Sequence, residues 1–169
     1  MKGIAGEMGE MKIPLRPEVR PIRQQPCKLN PIYKHKVKED IDWMLEADII
    51  KLVEKLEWIR LIVVQDNKQG RGIRICVDLR KLNDACLHDP FPTPFTDEVL
   101  ENVGGHEAYS FTDRFSGYHQ IKIAHKDRDK TMFSTEWGSY QYTVMPFGLK
   151  NAPAIFSRVV IATFKEFIH

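Results

Sequence analysis

From Ile32 to Leu56 the apolar positions Val37, Ile41, Met44, Leu45 and Leu52 recur near a 3.6-residue period, with Lys and Glu between them. That spacing predicts an amphipathic helix, and Asn30-Pro31 gives it a start. The period then drops to two. Leu61-Ile62-Val63-Val64 reads as a strand, Gln65 to Gly72 as a polar turn, and Ile73 to Asp78 as the return strand of a hairpin. Thr96 to Val103 reads as a short helix stopped by Gly104-Gly105. Tyr109 to Asp113 and Gln120 to Ala124 read as strands joined through a Ser116-Gly117 turn. Met132 to Thr135 and Gln141 to Met145 pair as a hairpin around Trp137-Gly138-Ser139. After Pro153 a final helix is expected, with Phe156, Val159, Val160, Phe164 and Phe167 on its apolar side. Five prolines between Pro14 and Pro31 predict an extended arm, and Asp89 to Pro94 a rigid crossing segment. Residues 1–11 read as an unanchored leader. The order of elements is α+β, not a regular βαβ alternation.

Composition narrows the class. The 169 residues are 43% hydrophobic and 10% aromatic, which suits one packed domain or part of a larger one and excludes a disordered chain. Mean hydropathy is -0.36 with no long apolar run, which speaks against a membrane-spanning helix. The expected location is intracellular, cytoplasmic or nuclear. Cys27, Cys76 and Cys86 are odd in number and widely spaced, so reduced packing thiols are expected rather than a disulfide frame or a zinc site. The net charge is +2, but residues 11–38 carry eight Lys and Arg against Glu18 alone. Such an arm suits a phosphate backbone, or is simply solvated.

For chemistry, Asp113 is the most suggestive acid. It ends the apolar strand Tyr109-Ser110-Phe111-Thr112, where a carboxylate can project rigidly into a cleft. Mg²⁺ favours such oxygens and keeps phosphates and waters as its other ligands. A turn-stabilising aspartate is the plain alternative.

Four blocks decide between them. Phe111-Thr112-Asp113-Arg114-Phe115-Ser116-Gly117-Tyr118-His119-Gln120-Ile121 resembles the first catalytic motif of gypsy-type retrotransposon reverse transcriptases. In the same order, Ile73 to Asn83 resembles the family's fingers motif, Lys130 to Thr135 its palm strand, and Val144 to Pro153 its nucleotide-pocket loop. The resemblance runs from about Pro14 to the last residue. It implies a right-hand polymerase fold, and synthesis of DNA on an RNA or DNA template by two Mg²⁺ ions that hold the reacting groups in line. Asp113 would be the catalytic, metal-binding aspartate. The backbone at Arg114, Phe115, Ser116 and Gly117 would lie near the triphosphate. Tyr118 would lie beneath the incoming sugar and exclude a ribose 2′-hydroxyl, and Phe147 would close over sugar and base. Arg74 would pack on the base and reach its phosphates. Asp78 and Arg80 would brace the fingers, and Lys150 would contact template or primer phosphate. The implied partners are a primed RNA or DNA template, deoxynucleoside triphosphates and the rest of the polymerase.

The sequence also departs from the family pattern. Gln65-Asp66-Asn67 stands where basic fingers residues are usual, leaving Lys68 or Arg71 as substitutes, and Trp58-Ile59-Arg60-Leu61 replaces a small residue and a proline. Arg114 stands where many relatives have a small or apolar residue. No Asp-Asp pair occurs in the 169 residues, so the family's second metal motif is expected beyond them. The expected layout is a basic arm over 1–30, fingers over 31–95 and an incomplete palm over 96–169. Thr131 to Val144 would return partly to the fingers side. This polypeptide alone is expected to lack polymerase activity. The competing readings are a non-catalytic nucleic-acid-binding remnant and an inert relic of a decayed element.

Overall fold

The computed structural model describes residues 10–21, 23–24, 29–54, 58–66, 73–92, 97, 101, 104–105, 107–108 and 116–166. Helix α1 spans Pro31–Glu46. Asn30 caps it, its Oδ1 accepting the Ile32 N–H at 3.1 Å, and Pro31 occupies a first-turn position where no N–H is needed. Val37 and Ile41 are fully buried on its inner face, while Met44 and Leu45 pack at the margin.

The helix ends at Glu46, nearly three turns short of the run to Leu56 that the periodicity suggests. Asp48 adopts a left-handed φ of 58°. Its N–H donates to Leu45 O at 3.0 Å and the Ile49 N–H donates to Met44 O at 2.9 Å, the paired bonds of a Schellman closure. The chain then enters β2, Ile50–Leu52, which places Leu52 on an exposed strand rather than on a helix.

Strand β2 pairs antiparallel with β7 (Gly138–Tyr142), which pairs with β6 (Phe133–Thr135), giving the order β2-β7-β6. The β6–β7 hairpin turns at Glu136-Trp137, tighter than the sequence suggests. Gly138 has φ +147°, and a Cβ there would lie 2.9 Å from Leu52 Cδ1, so glycine allows β2 to close onto β7. Phe133 stacks near Tyr140 and Tyr142 at 5.6 and 5.5 Å, and this group meets Ile49, Ile50 and Met145 in the core. Burial pushes the Tyr142 hydroxyl pKa upward.

The hairpin of β3 (Ile62–Asp66) and β4 (Ile73–Val77) forms as expected, Ile62 opposite Val77 and Gln65 opposite Arg74. Residues 67–72 lie outside the described set. Arg60, one of the departures from the family pattern, is 3% exposed. Its guanidinium donates to the carbonyls of Lys130 and Met132 and lies 5.1 Å from the Trp58 ring. It therefore ties the entry of β3 to the start of β6, and burial lowers its pKa to about 10.

Two corrections concern the N-terminus and the final helix. Glu10–Met11 is not a free leader but strand β1, parallel to β5 (Lys122–Ile123), with Met11 opposite Ile123. Met11 and Ile13 are core residues, 2% and 1% exposed. Buried Asp127, in the 3-10 helix His125–Thr131, accepts the Ile13 N–H at 2.9 Å and pairs with Lys130 Nζ at 2.5 Å. Lys130 Nζ also donates to Ile13 O at 2.7 Å, so both backbone groups of Ile13 are held. Helix α3 covers Ala152–Thr163, where the sequence suggested a run to the chain end. Phe164 lies past it and is exposed, and Phe167 is outside the described residues. The predicted strand 109–113 and most of the predicted helix 96–103 also lie outside them. Of the latter, the Gly104 N–H donates to Glu101 O at 3.3 Å, as a helix ending at the glycines requires. Cys76 and Cys86 are free thiols, and Cys27 is outside the described set.

Candidate nucleotide site

Three of the implied site residues, Asp113, Arg114 and Phe115, lie outside the described residues. Arg74 stands in β4, with only its backbone described. The remaining five fall in two segments, and the fold brings those segments together. Ser116 is left-handed (φ 48°, ψ 41°), a conformation seldom adopted outside glycine, and it turns the chain into a 3-10 helix at Gly117–Gln120. Gly117 is buried at the first position of that turn.

From this turn Tyr118 meets Phe147, ring centroids 4.9 Å apart and planes tilted by 33°. Phe156 of α3 packs edge-on against Tyr118 at 5.2 Å, and His119 packs edge-on against Phe147 at 5.6 Å. Tyr118 is half-buried and braced by α3, whereas Phe147 is 66% exposed. A large aromatic ring held in contact below and open above is a platform on which a flat or sugar-like ligand can stack.

The loop carrying Phe147 has its own supports. Gly148 has φ +92°, which favours glycine even though no neighbour crowds it. Helix α2, Arg80–Ala85, presents Asn83 beside the loop. Asn83 Nδ2 donates to Gly148 O and its Oδ1 accepts the Lys150 N–H, each at 2.8 Å. Lys150 is thus fixed by its backbone while its side chain faces solvent. Buried Asn151 donates to Leu87 O at 2.8 Å and accepts the Asp89 N–H at 3.2 Å. Arg158 of α3 then grips Asp89 with both contacts at 2.9 Å and lies 4.7 Å from the Phe91 ring. Asn83, Asn151 and Arg158 were not singled out from sequence. Asn83 and Asn151 stand at or near the ends of the quoted blocks, each beside a charged neighbour, which gave no local signal of their clamping role.

Asp78 and Arg80 form the expected brace. Arg80 Nε and Nη2 reach the two Asp78 oxygens at 2.9 and 2.8 Å, and Asp78 Oδ1 accepts the Arg80 N–H at 3.1 Å. The guanidinium hydrogen bond holds the Asp78 carboxyl at a pKa of about 2. The pair sits at the start of α2 and so supports the helix that carries Asn83. Of the basic residues in 11–38, Lys34 and Lys38 stand on α1, where Lys34 pairs with Glu136 at 2.6 Å and Lys38 pairs with Asp42, so part of that charge is spent within the fold.

A cleft of about 410 Å³, lined among others by Lys12, His88, Asp89 and Arg158, includes neither Tyr118 nor Phe147. Among the described residues no three His, Cys, Asp or Glu side chains gather as a metal-holding group. Among them, too, no helix is long and apolar enough to cross a membrane.

Comparison with known proteins agrees with this geometry. The family described as "Reverse transcriptase (RNA-dependent DNA polymerase)" matches residues 66–169. The Pol polyproteins of the Drosophila melanogaster transposons 412 and 297 are 41% and 44% identical over 58% and 55% of this chain. That of transposon opus is 34% identical over 78%. The chain spans only 8%, 9% and 14% of the length of these three relatives. The crystal structure of the prototype foamy virus protease–reverse transcriptase superposes over 88% of this chain and 20% of its own, with a TM-score of 0.78 at 21% identity. The same fold recurs, at a TM-score of 0.74, in a foamy viral protease–reverse transcriptase solved with an RNA/DNA hybrid. The chain belongs to the reverse transcriptase family, on its gypsy-type retrotransposon side. Its α+β fold is that of the reverse transcriptase polymerase domain.

Proposed function

We propose that this chain supplies the fingers, about 31–95, and the first part of the palm, about 96–169, of an RNA-directed DNA polymerase. Within the palm stretch, Thr131 to Val144 belongs partly with the fingers, as the shared β2-β7-β6 sheet suggests. The observation that carries the reading is the contact between Tyr118 and Phe147, two residues 29 positions apart that the family pattern assigns to one nucleotide pocket.

In this proposal the sugar of a deoxynucleoside triphosphate rests on Tyr118, whose bulk leaves no room for a ribose 2′-hydroxyl. Phe147 covers sugar and base from the open side. The Ser116-Gly117 turn, with Arg114 and Phe115 before it, offers backbone N–H groups to the phosphates, and Arg74 reaches them from the fingers. Lys150 meets template or primer phosphate. The fold's foamy viral relative was solved on an RNA/DNA hybrid, which supports a primed template as partner. Reverse transcriptases use divalent cations, and Mg²⁺ is the ion proposed here, with Asp113 as its ligand in this chain. Such ions neutralise phosphate charge and align the reacting oxygens. One carboxylate is too few for a pair of ions, and the 169 residues hold no Asp-Asp pair.

Deoxythymidine triphosphate titrated into the chain should shift the ring resonances of Tyr118 and Phe147, more strongly than uridine triphosphate does. Tyr118→Ala should abolish that preference. Absence of any response at both rings would defeat the nucleotide-pocket reading. Primer extension by the 169-residue polypeptide on RNA with Mg²⁺ should give no product, and clear incorporation would refute the one-ligand assignment. The inert-relic reading gains support from Gln65-Asp66-Asn67 in place of basic fingers residues. The non-catalytic nucleic-acid-binding reading predicts a salt-dependent gel shift of an RNA–DNA duplex that metal and Asp113→Ala leave unchanged.

A further inference from the structure

A second cleft, of about 230 Å³, lies where the α1–β2 turn meets His119, Lys122, Arg128 and the Thr143-Val144 pair. Among the described residues its charged side chains are Lys51, Lys122 and Arg128 against Asp48 alone. Asp48 is largely solvent-exposed and stands 3.5 Å from Lys51, so it offsets at most one of the three cations. Arg128 Nε donates to Ile123 O at 3.1 Å, which fixes the guanidinium plane at the cleft wall. The Thr143 hydroxyl is committed to the carbonyls of Asp48 and Ile49.

His119 differs from these. It lines the cleft, and its Nδ1 is buried with no hydrogen-bond partner among the described residues. Burial also lowers the imidazole pKa. The imidazole ring lines the same cleft as the three cations.

We propose that this cleft binds a phosphate-type oxyanion, with Lys51, Lys122 and Arg128 supplying the charge and the His119 ring forming part of the wall. An oxyanion suits the site because each oxygen accepts charge-assisted hydrogen bonds from Lys and Arg, whereas a cation would meet three like charges. The site does not depend on the polymerase reading, although His119 touches Phe147 and so links the two. A phosphate group can come from a free anion or from a nucleic-acid backbone.

The test uses the whole 169-residue chain and the ¹H–¹³C ring resonances of His119. Inorganic phosphate should produce a saturable shift that sodium chloride at equal ionic strength does not reproduce. Lys51→Gln with Lys122→Gln, both at surface positions, should weaken binding about tenfold, a loss of about 1.4 kcal/mol. Lys81→Gln, away from the cleft lining, should leave it unchanged. A response to inorganic phosphate assigns the site to a free anion. A response to oligothymidylate alone, lost in the double variant, assigns it to a backbone phosphodiester. Silence towards both probes, a shift matched by chloride, or one surviving the double variant overturns the proposal.

Discussion

The N-terminal segment and the pocket loop are both irregular backbone held by side chains far away in sequence, but by opposite kinds of chemistry. Ile13 is fastened by a charged pair, buried Asp127 and partly buried Lys130. The loop from Met145 to Asn151 is fastened by the neutral amides of Asn83 and Asn151. Charged anchors cost more to desolvate, and losing one partner strands the other. Amide clamps satisfy donor and acceptor at once and leave no net charge behind. The first kind suits a segment that must become core. The second suits a loop that keeps Phe147 in the open while fixing its backbone.

The largest effect should come from the charged anchor. Asp127→Ala should destabilise the fold by about 3–5 kcal/mol, read by urea unfolding, because Lys130 would be left beside an unpaired Ile13 N–H. A loss as small as that of an exposed ion pair would erase the contrast. Next, Asn83→Ala should cost about 1–2 kcal/mol and weaken the Tyr118–Phe147 ring contact in nuclear Overhauser spectra. An unchanged contact would mean that the loop holds itself. The smallest effect concerns pH. The folded Asp78 carboxyl, at a pKa of about 2, lies below its unfolded value. Its contribution is therefore complete above about pH 4 and lost as pH falls towards 2. Acid titration over that window should loosen the pocket loop, and Asp78→Asn should flatten the dependence.

Much of this was legible in the sequence, and the misses have physical causes. The β3–β4 hairpin and the Asn30-Pro31 helix start followed from local pattern, because neighbouring residues decide them. Helix α1 reads on through Leu52 because Ile49, Ile50 and Leu52 keep the run apolar. Its stop depends on Asp48 taking a left-handed conformation, for which aspartate is a weaker signal than glycine. Strand β1 has two residues, too few for any period, and its burial is set by β5 more than a hundred positions away. In the site, Tyr118 and Phe147 were found through resemblance to a family, not through spacing. The amide of Asn83 reaches across 65 positions to Gly148, which no local reading can see.

The buried Met11 and Ile13 have a practical consequence for anyone expressing this domain. A clone trimmed to the family match at residues 66–169 would remove β1, α1 and β2 together. Ile123 and Tyr140 would lose the strands now paired beside them, β4 would lose nearly all of β3, and three raw sheet edges would meet solvent. Such a trimmed product should collect in inclusion bodies, whereas a start upstream of Glu10 keeps these edges sealed.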